Sequence, residues 1–215
     1  AKEAGLVEYQ KSSAKSAQEL LEGLELSQGQ MTELAGLARS LGLAVIITPF
    51  SPGLVPVAVA CGCEALKLAS PDLVNRPLLE AAMATGLPLI LSTGAARLEE
   101  IAQTISWLDE AARGRTILLQ CVSSYPTPEE KASLAGIGML RSEWPDLTVG
   151  YSDHTTLTIT GALAVAAGAT VLEKHFTLNR EAEGPDHAAS LEPKELAEYV
   201  AGARRAYRMR GPRDK

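Results

Sequence analysis

The fold class that the sequence predicts is α/β, a barrel of the TIM (β/α)8 type. Three observations carry it. Apolar, β-prone runs alternate with amphipathic helical segments along the chain, the pattern of βα units. The runs are near-continuous rather than alternating apolar with polar, so they read as strands buried on both faces, as in a parallel sheet or barrel. Polar residues gather at the C-terminal ends of those runs, where the active-site rim of such a barrel lies. A doubly wound open sheet would instead carry a switch-point crevice and usually a glycine-rich phosphate loop. Neither G-x-G-x-x-G nor G-x-x-x-x-G-K-[ST] occurs.

The elements follow in order. Ser27 and Gln30 have the spacing of a capping box that opens a helix. Met31, Leu34, Leu37, Ala38 and Leu41 then recur at helical spacing, and Gly42 ends the helix. Leu43 to Phe50 is the first clear strand, followed by strand candidates at Ala65 to Ala69, Leu87 to Ser92, Thr116 to Val122, Leu147 to Tyr151 and Ala169 to His175. Amphipathic helices are expected at Asn75 to Thr85, Arg97 to Ala112, Pro128 to Ser142 and Thr158 to Ala167, with Glu195 to Arg208 closing the chain. Six strands are visible where a closed barrel needs eight and about 250 residues. The chain opens at Ala1 without an initiator Met. The expected organisation is therefore an N-terminal helical or loop segment over 1–26 and a partial barrel over 27–215. That barrel holds strands three to eight and lacks its first two βα units. The two pairing edges so exposed favour a homo-oligomer.

Composition narrows the function classes. A chain that is 46% hydrophobic and 21% charged has material for one sizeable core. The net charge of -6 offers no basic face for a phosphate backbone, which excludes nucleic acid as a default partner. Any anionic ligand must be held by local groups. Cys61, Cys63 and Cys121 are odd in number, and Cys61-Gly-Cys63 lacks the two-residue spacer of common zinc and redox motifs. Buried free thiols in a reducing cytoplasm are the simpler reading. No basic-then-apolar leader opens the chain and no apolar run of about 18 residues is present, so export and membrane insertion are both disfavoured.

All three histidines lie in the last third of the chain. His154 and His175 each follow a β-prone run, so two strand ends could aim two imidazoles at one metal ion; the alternative is a pair of core histidines satisfied by backbone carbonyls. Glu173, two residues before His175, shares its side of the strand. It suits a general acid or base beside the metal, or a carboxylate orienting an imidazole. Lys67 sits on an apolar strand, where an unpaired ammonium is costly, so it must face either a salt-bridge partner or an anion. Asp153 suits helix capping or the support of a neighbouring ligand.

The runs Lys67-Leu-Ala-Ser-Pro-Asp-Leu73, Leu91-Ser-Thr-Gly94, Cys121-Val-Ser-Ser-Tyr-Pro-Thr-Pro128, Gly150-Tyr-Ser-Asp-His-Thr155, Glu173-Lys-His-Phe-Thr177 and Gly184-Pro-Asp-His-Ala-Ala-Ser-Leu-Glu-Pro193 carry a family resemblance. In this order they resemble the sialic acid (N-acetylneuraminate) synthases, in their bacterial neuraminate and legionaminate branch. The resemblance implies a transferase of carbohydrate biosynthesis that condenses phosphoenolpyruvate with an N-acetylated hexosamine aldehyde. The products would be a nine-carbon 2-keto sugar acid and phosphate. It implies a divalent metal at His154 and His175, Mn2+ with Mg2+ or Co2+ as alternatives. It assigns Lys67 to phosphate, surrounded by the hydroxyls of Thr48, Ser70, Ser92 and Ser152, with Ser123 and Tyr125 also contacting substrate. Glu173, Asp186 and Asp72 are the carboxylates it assigns to catalysis. His187 matches the family pattern without a defined ligand role. The family's first two strands, with a catalytic Glu and a phosphate-binding Lys, have no counterpart in this reading, and neither has its C-terminal antifreeze-like domain. Two other functions compete: a metal-dependent pyruvate aldolase, and a non-catalytic barrel remnant that binds metal or a partner.

Overall fold

The computed structural model of the chain describes residues 22–211. Among these, six strands form one sheet whose spatial order follows the sequence: β1 (Ile46–Ile47), β2 (Ala65–Leu68), β3 (Leu89–Ser92), β4 (Thr116–Cys121), β5 (Thr148–Asp153) and β6 (Leu172–Lys174). Every neighbouring pair is parallel. Helix α1 (Gln28–Ser40) precedes β1, and α2 (Val55–Ala60), α3 (Arg76–Met83), α4 (Leu98–Ser106), α5 (Glu110–Arg113), α6 (Ala135–Glu143) and α7 (Thr160–Ala167) fill the crossovers. Helix α8 (Pro193–Met209) follows β6. A parallel pair needs a crossover of this kind, so the alternation read from the sequence becomes topology.

Side-chain alternation gives the sheet two unlike faces. Leu66, Leu68, Leu89, Leu91, Leu118, Val149 and Tyr151 pack in the main core with the helix residues Leu78, Leu79, Ile101, Ile137 and Leu140. The other parity contributes a smaller cluster of Ala65, Ile90 and Leu119, with Ile117 and Val171 against it. That cluster is the floor of the concave face. The next inward positions along the same strands are Lys67, Ser92, Cys121, Ser152 and Glu173, so a polar layer stands directly above an apolar one. Gly150 is needed at the floor because a Cβ there would lie 2.5 Å from the Val171 carbonyl oxygen and 2.6 Å from Leu119 Cδ2.

Several boundaries differ from expectation. β1 covers only Ile46–Ile47 of the run 43–50, and Ile46 is 52% exposed. Among the described residues it is a sheet edge paired on one side, so burial on both faces fails there. β6 is likewise short and half-buried. The helix expected over 97–112 is two helices, because the Asp109 carboxylate accepts from the Ala112 amide and starts α5 anew. The helix expected from Pro128 begins at Ala135; a 3-10 turn over Glu129–Lys131 precedes it, and Ser133 in left-handed backbone (φ 52°) interrupts the run. The capping box at Ser27 and Gln30 is present. All three cysteines are free and buried. Residues 22–45 hold α1 and no strand; the rest of the 1–26 segment lies outside the described residues. Among the described residues no helix is long and apolar enough to cross a membrane.

Candidate active site

The C-terminal strand ends open on a cavity of about 310 Å³. Thr48 reaches it just past β1, Lys67 from β2 with Ser70 in the next turn, Ser92 from β3, Ser152 and His154 from β5 and its continuation, and Glu173 and His175 from β6 and its continuation. Tyr125 enters from the loop after β4. Asp72, Ser123 and Asp186 are not among the lining residues. Asp72 accepts from Asn75 Nδ2 at 3.0 Å in the turn before α3. Ser123 is exposed just beyond β4. Asp186 ends a loop whose Ser190 hydroxyl donates to the Asp186 carbonyl at 2.7 Å.

One part of the cavity is built for an anion. Lys67 Nζ lies 3.3 Å from Glu173 Oε1, and the Ser152 hydroxyl donates to the same oxygen at 2.6 Å. The Glu173 side chain is 42% exposed, so this ion pair faces the cavity instead of closing off in the core. Ser92 Oγ is fully shielded and has no hydrogen-bond partner among the described residues. A buried hydroxyl left unsatisfied costs about 1–3 kcal/mol, which a ligand oxygen would recover. Ser70 Oγ accepts from the Gly94 amide at 3.1 Å, and its own proton points to Cys121 Sγ at 3.6 Å.

The neighbouring part is built from imidazoles. His154 Nδ1 lies 2.7 Å from the Val122 carbonyl oxygen. A carbonyl only accepts, so Nδ1 carries a proton, and in the neutral ring Nε2 presents the lone pair. Burial pushes the His154 pKa down, opposed by the Val122 bond that favours the cation and reinforced by nearby His175. Burial thus favours the neutral ring, the form in which an imidazole ligates a metal. The His154 and His175 ring centroids are 5.4 Å apart, and Tyr125 packs 4.1 Å from His154 and 5.8 Å from His175. Ser152 Oγ joins the two parts, 3.5 Å from His154 Nε2.

Among the described residues, no group of three or more His, Cys, Asp or Glu is arranged around a common ion. The donor set is thus the two imidazoles of His154 and His175. That fits an open divalent centre whose remaining positions go to substrate and water, and does not fit a closed structural one.

Sequence reasoning took Cys121 only as a buried thiol and passed over Lys174. Cys121 lines the cavity with a thiol that burial pushes up, so it stays protonated and is no nucleophile. Its signal was an inward position on β4, level with the polar layer. Lys174 lies between Glu173 and His175 in the chain. A charged residue of outward parity on a buried strand demands a partner, but the sequence does not say which.

The NeuB family model matches residues 1–215. An uncharacterised protein of Methanocaldococcus jannaschii is 42% identical over 197 residues, 92% of this chain and 58% of its own length. An N,N'-diacetyllegionaminic acid synthase of Legionella pneumophila is 36% identical over 97% of this chain and 60% of its own length. The chain thus spans about three-fifths of these relatives. The crystal structure of an N-acetylneuraminic acid synthetase from Leptospira borgpetersenii, in complex with citrate, superposes with a TM-score of 0.87 at 35% identity, covering 96% of this chain and 72% of that one. A truncated 3-deoxy-D-arabino-heptulosonate 7-phosphate synthase from Thermotoga maritima shares the fold at 15% identity and a TM-score of 0.75.

Proposed function

The chain belongs to the NeuB family, and on that premise we propose that its cavity serves the condensation of phosphoenolpyruvate with the aldehyde of an N-acetylated hexosamine. C3 of the enol phosphate bonds to the aldehyde carbon, water adds at C2, and the C2–O bond to phosphate breaks. A nine-carbon 2-keto sugar acid and inorganic phosphate leave. The observation that supports this most is a buried, unpartnered Ser92 hydroxyl in the same cavity as the Lys67 ammonium and two imidazoles.

Lys67 binds the phosphate dianion as a point charge, the Ser92 and Thr48 hydroxyls donate to its oxygens, and the Ser70 hydroxyl turns from Cys121 to do the same, while Ser152 lines the pocket with its proton on Glu173. Glu173, held through Oε1 by Lys67 and Ser152, takes the proton of the adding water. Tyr125 orients the sugar over His154. His154 and His175 would hold the divalent ion, Mn2+ with Mg2+ or Co2+ as alternatives, and when bound it polarises the aldehyde oxygen. Asp72, Ser123 and Asp186 have no lining position that supports a catalytic part. The three buried free thiols support a cytoplasmic setting, and the exposed edge at Ile46 supports assembly of several copies.

The test is product analysis by mass spectrometry after incubation with N-acetylmannosamine, Mn2+ and either phosphoenolpyruvate or pyruvate. The reading requires sugar acid and phosphate from phosphoenolpyruvate alone. Product from pyruvate would mean a metal-dependent aldolase, and no product from either would overturn the proposal.

A further inference from the structure

The ladder between β5 and β6 ends at the pair Asp153↔Lys174, one residue short of both cavity histidines. Beyond it the two chains part. The His154 carbonyl accepts from the Thr127 amide at 2.8 Å, and the His175 carbonyl accepts from the Leu191 amide at 3.0 Å. Both histidine carbonyls are thus taken by other segments of the chain. The Lys174 ammonium donates to the Asp153 carbonyl at 3.1 Å and to the Thr155 carbonyl, the two peptide oxygens that bracket His154. It also lies 3.8 Å from Asp153 Oδ2. The Lys174 and Asp153 side chains are 4% and 0% exposed.

We propose that Lys174 is a positioning residue: its buried ammonium ties the β5 end bearing His154 to the β6 end bearing Glu173 and His175, and so sets the spacing of the two imidazoles. The inference rests on the divalent-metal reading above. An apolar side chain would fill the same space without the cost of burying a charge, and such replacements are often neutral or stabilising when only packing is at stake. What an apolar side chain cannot do is hold two carbonyls of another strand end. The Asp153 carboxylate completes the arrangement, since its Oδ1 accepts from the Thr155 amide at 2.8 Å and keeps the turn around His154 closed.

The experiment compares Mn2+ affinity, by calorimetry or electron paramagnetic resonance, in the unmodified protein, Lys174→Met and Lys174→Gln, with circular dichroism and thermal unfolding alongside. The amide of Gln is too short to span both carbonyls and keeps a polar group should the Met variant fail to fold. Removing the support of a metal ligand costs about tenfold or more in affinity. The expected result is that loss in whichever variant retains the native spectrum. Unchanged Mn2+ affinity in a folded variant, even with a lowered melting temperature, overturns the positioning role and leaves the metal reading intact. No Mn2+ binding by the unmodified protein overturns the metal reading, and this inference with it.

Discussion

Lys67 Nζ lies 3.3 Å from Glu173 Oε1 although three strands, β3, β4 and β5, separate the strands that carry them. In a flat sheet four spacings would place β2 and β6 about 19 Å apart, beyond the combined reach of the two side chains. The contact requires the sheet to curl, and the curl makes inward residues of distant strands converge. Candidate function in this chain thus follows from the curl of a parallel sheet whose concave side has an apolar floor and a polar rim.

Lys67→Met removes the cation of the anion-binding half. Affinity for inorganic phosphate or phosphoenolpyruvate should fall about tenfold or more, roughly 1.4 kcal/mol, by calorimetric titration. Stability should change little, because Glu173 is open enough to be solvated on its own. Equal affinity would reduce Lys67 to a partner for Glu173.

Ser92→Ala separates function from stability. It deletes a buried hydroxyl that has no partner, so the variant should unfold at equal or higher denaturant concentration, by up to about 1 kcal/mol. Its phosphate affinity should drop. A destabilised variant would mean that the hydroxyl has a partner in solution.

Gly150→Ala and Gly138→Ala should act in opposite directions. The first drives a Cβ into Leu119 and the Val171 carbonyl, costing about 1–3 kcal/mol by urea unfolding. The second sits within α6 with nothing inside 4 Å of the new carbon, and should stabilise by about 0.5–1 kcal/mol.

Much of this layout is legible in the residues. β2 to β5 were readable because strands covered on both faces must be apolar throughout, and the strand-end placement of Lys67, Ser92, Ser152, His154 and Glu173 follows from alternation. The edges were not, since the exposure of Ile46 depends on what pairs beside it. Asp72, Ser123 and Asp186 were assigned through motifs in turns and loops, where no periodicity fixes direction, and none lines the cavity. Lys174 was hidden because its partners, Asp153 and Thr155, are about twenty residues away and meet it only once β5 and β6 pair.

The pH dependence of the chelated protein has a definite sign. Burial lowers the His154 pKa in the folded state, so the unfolded chain binds this proton more readily. The contribution to stability is full above the unfolded value of about 6.5 and declines as pH falls from there toward the depressed folded value. Thermal melts should show that slope in the unmodified protein and lose part of it in His154→Gln. Identical slopes would assign the acid sensitivity elsewhere.

In the proposed reaction one cavity uses His154 and His175 together in a metal-dependent condensation. Phosphate release from phosphoenolpyruvate in the presence of N-acetylmannosamine and Mn2+ tests it most directly, in the unmodified protein, His154→Ala and His175→Ala, before and after chelation. The account predicts release by the unmodified protein, its loss on chelation, and none from either variant while circular dichroism shows the fold intact. No release by the unmodified protein, full release by both variants, or release indifferent to prolonged chelation would contradict it.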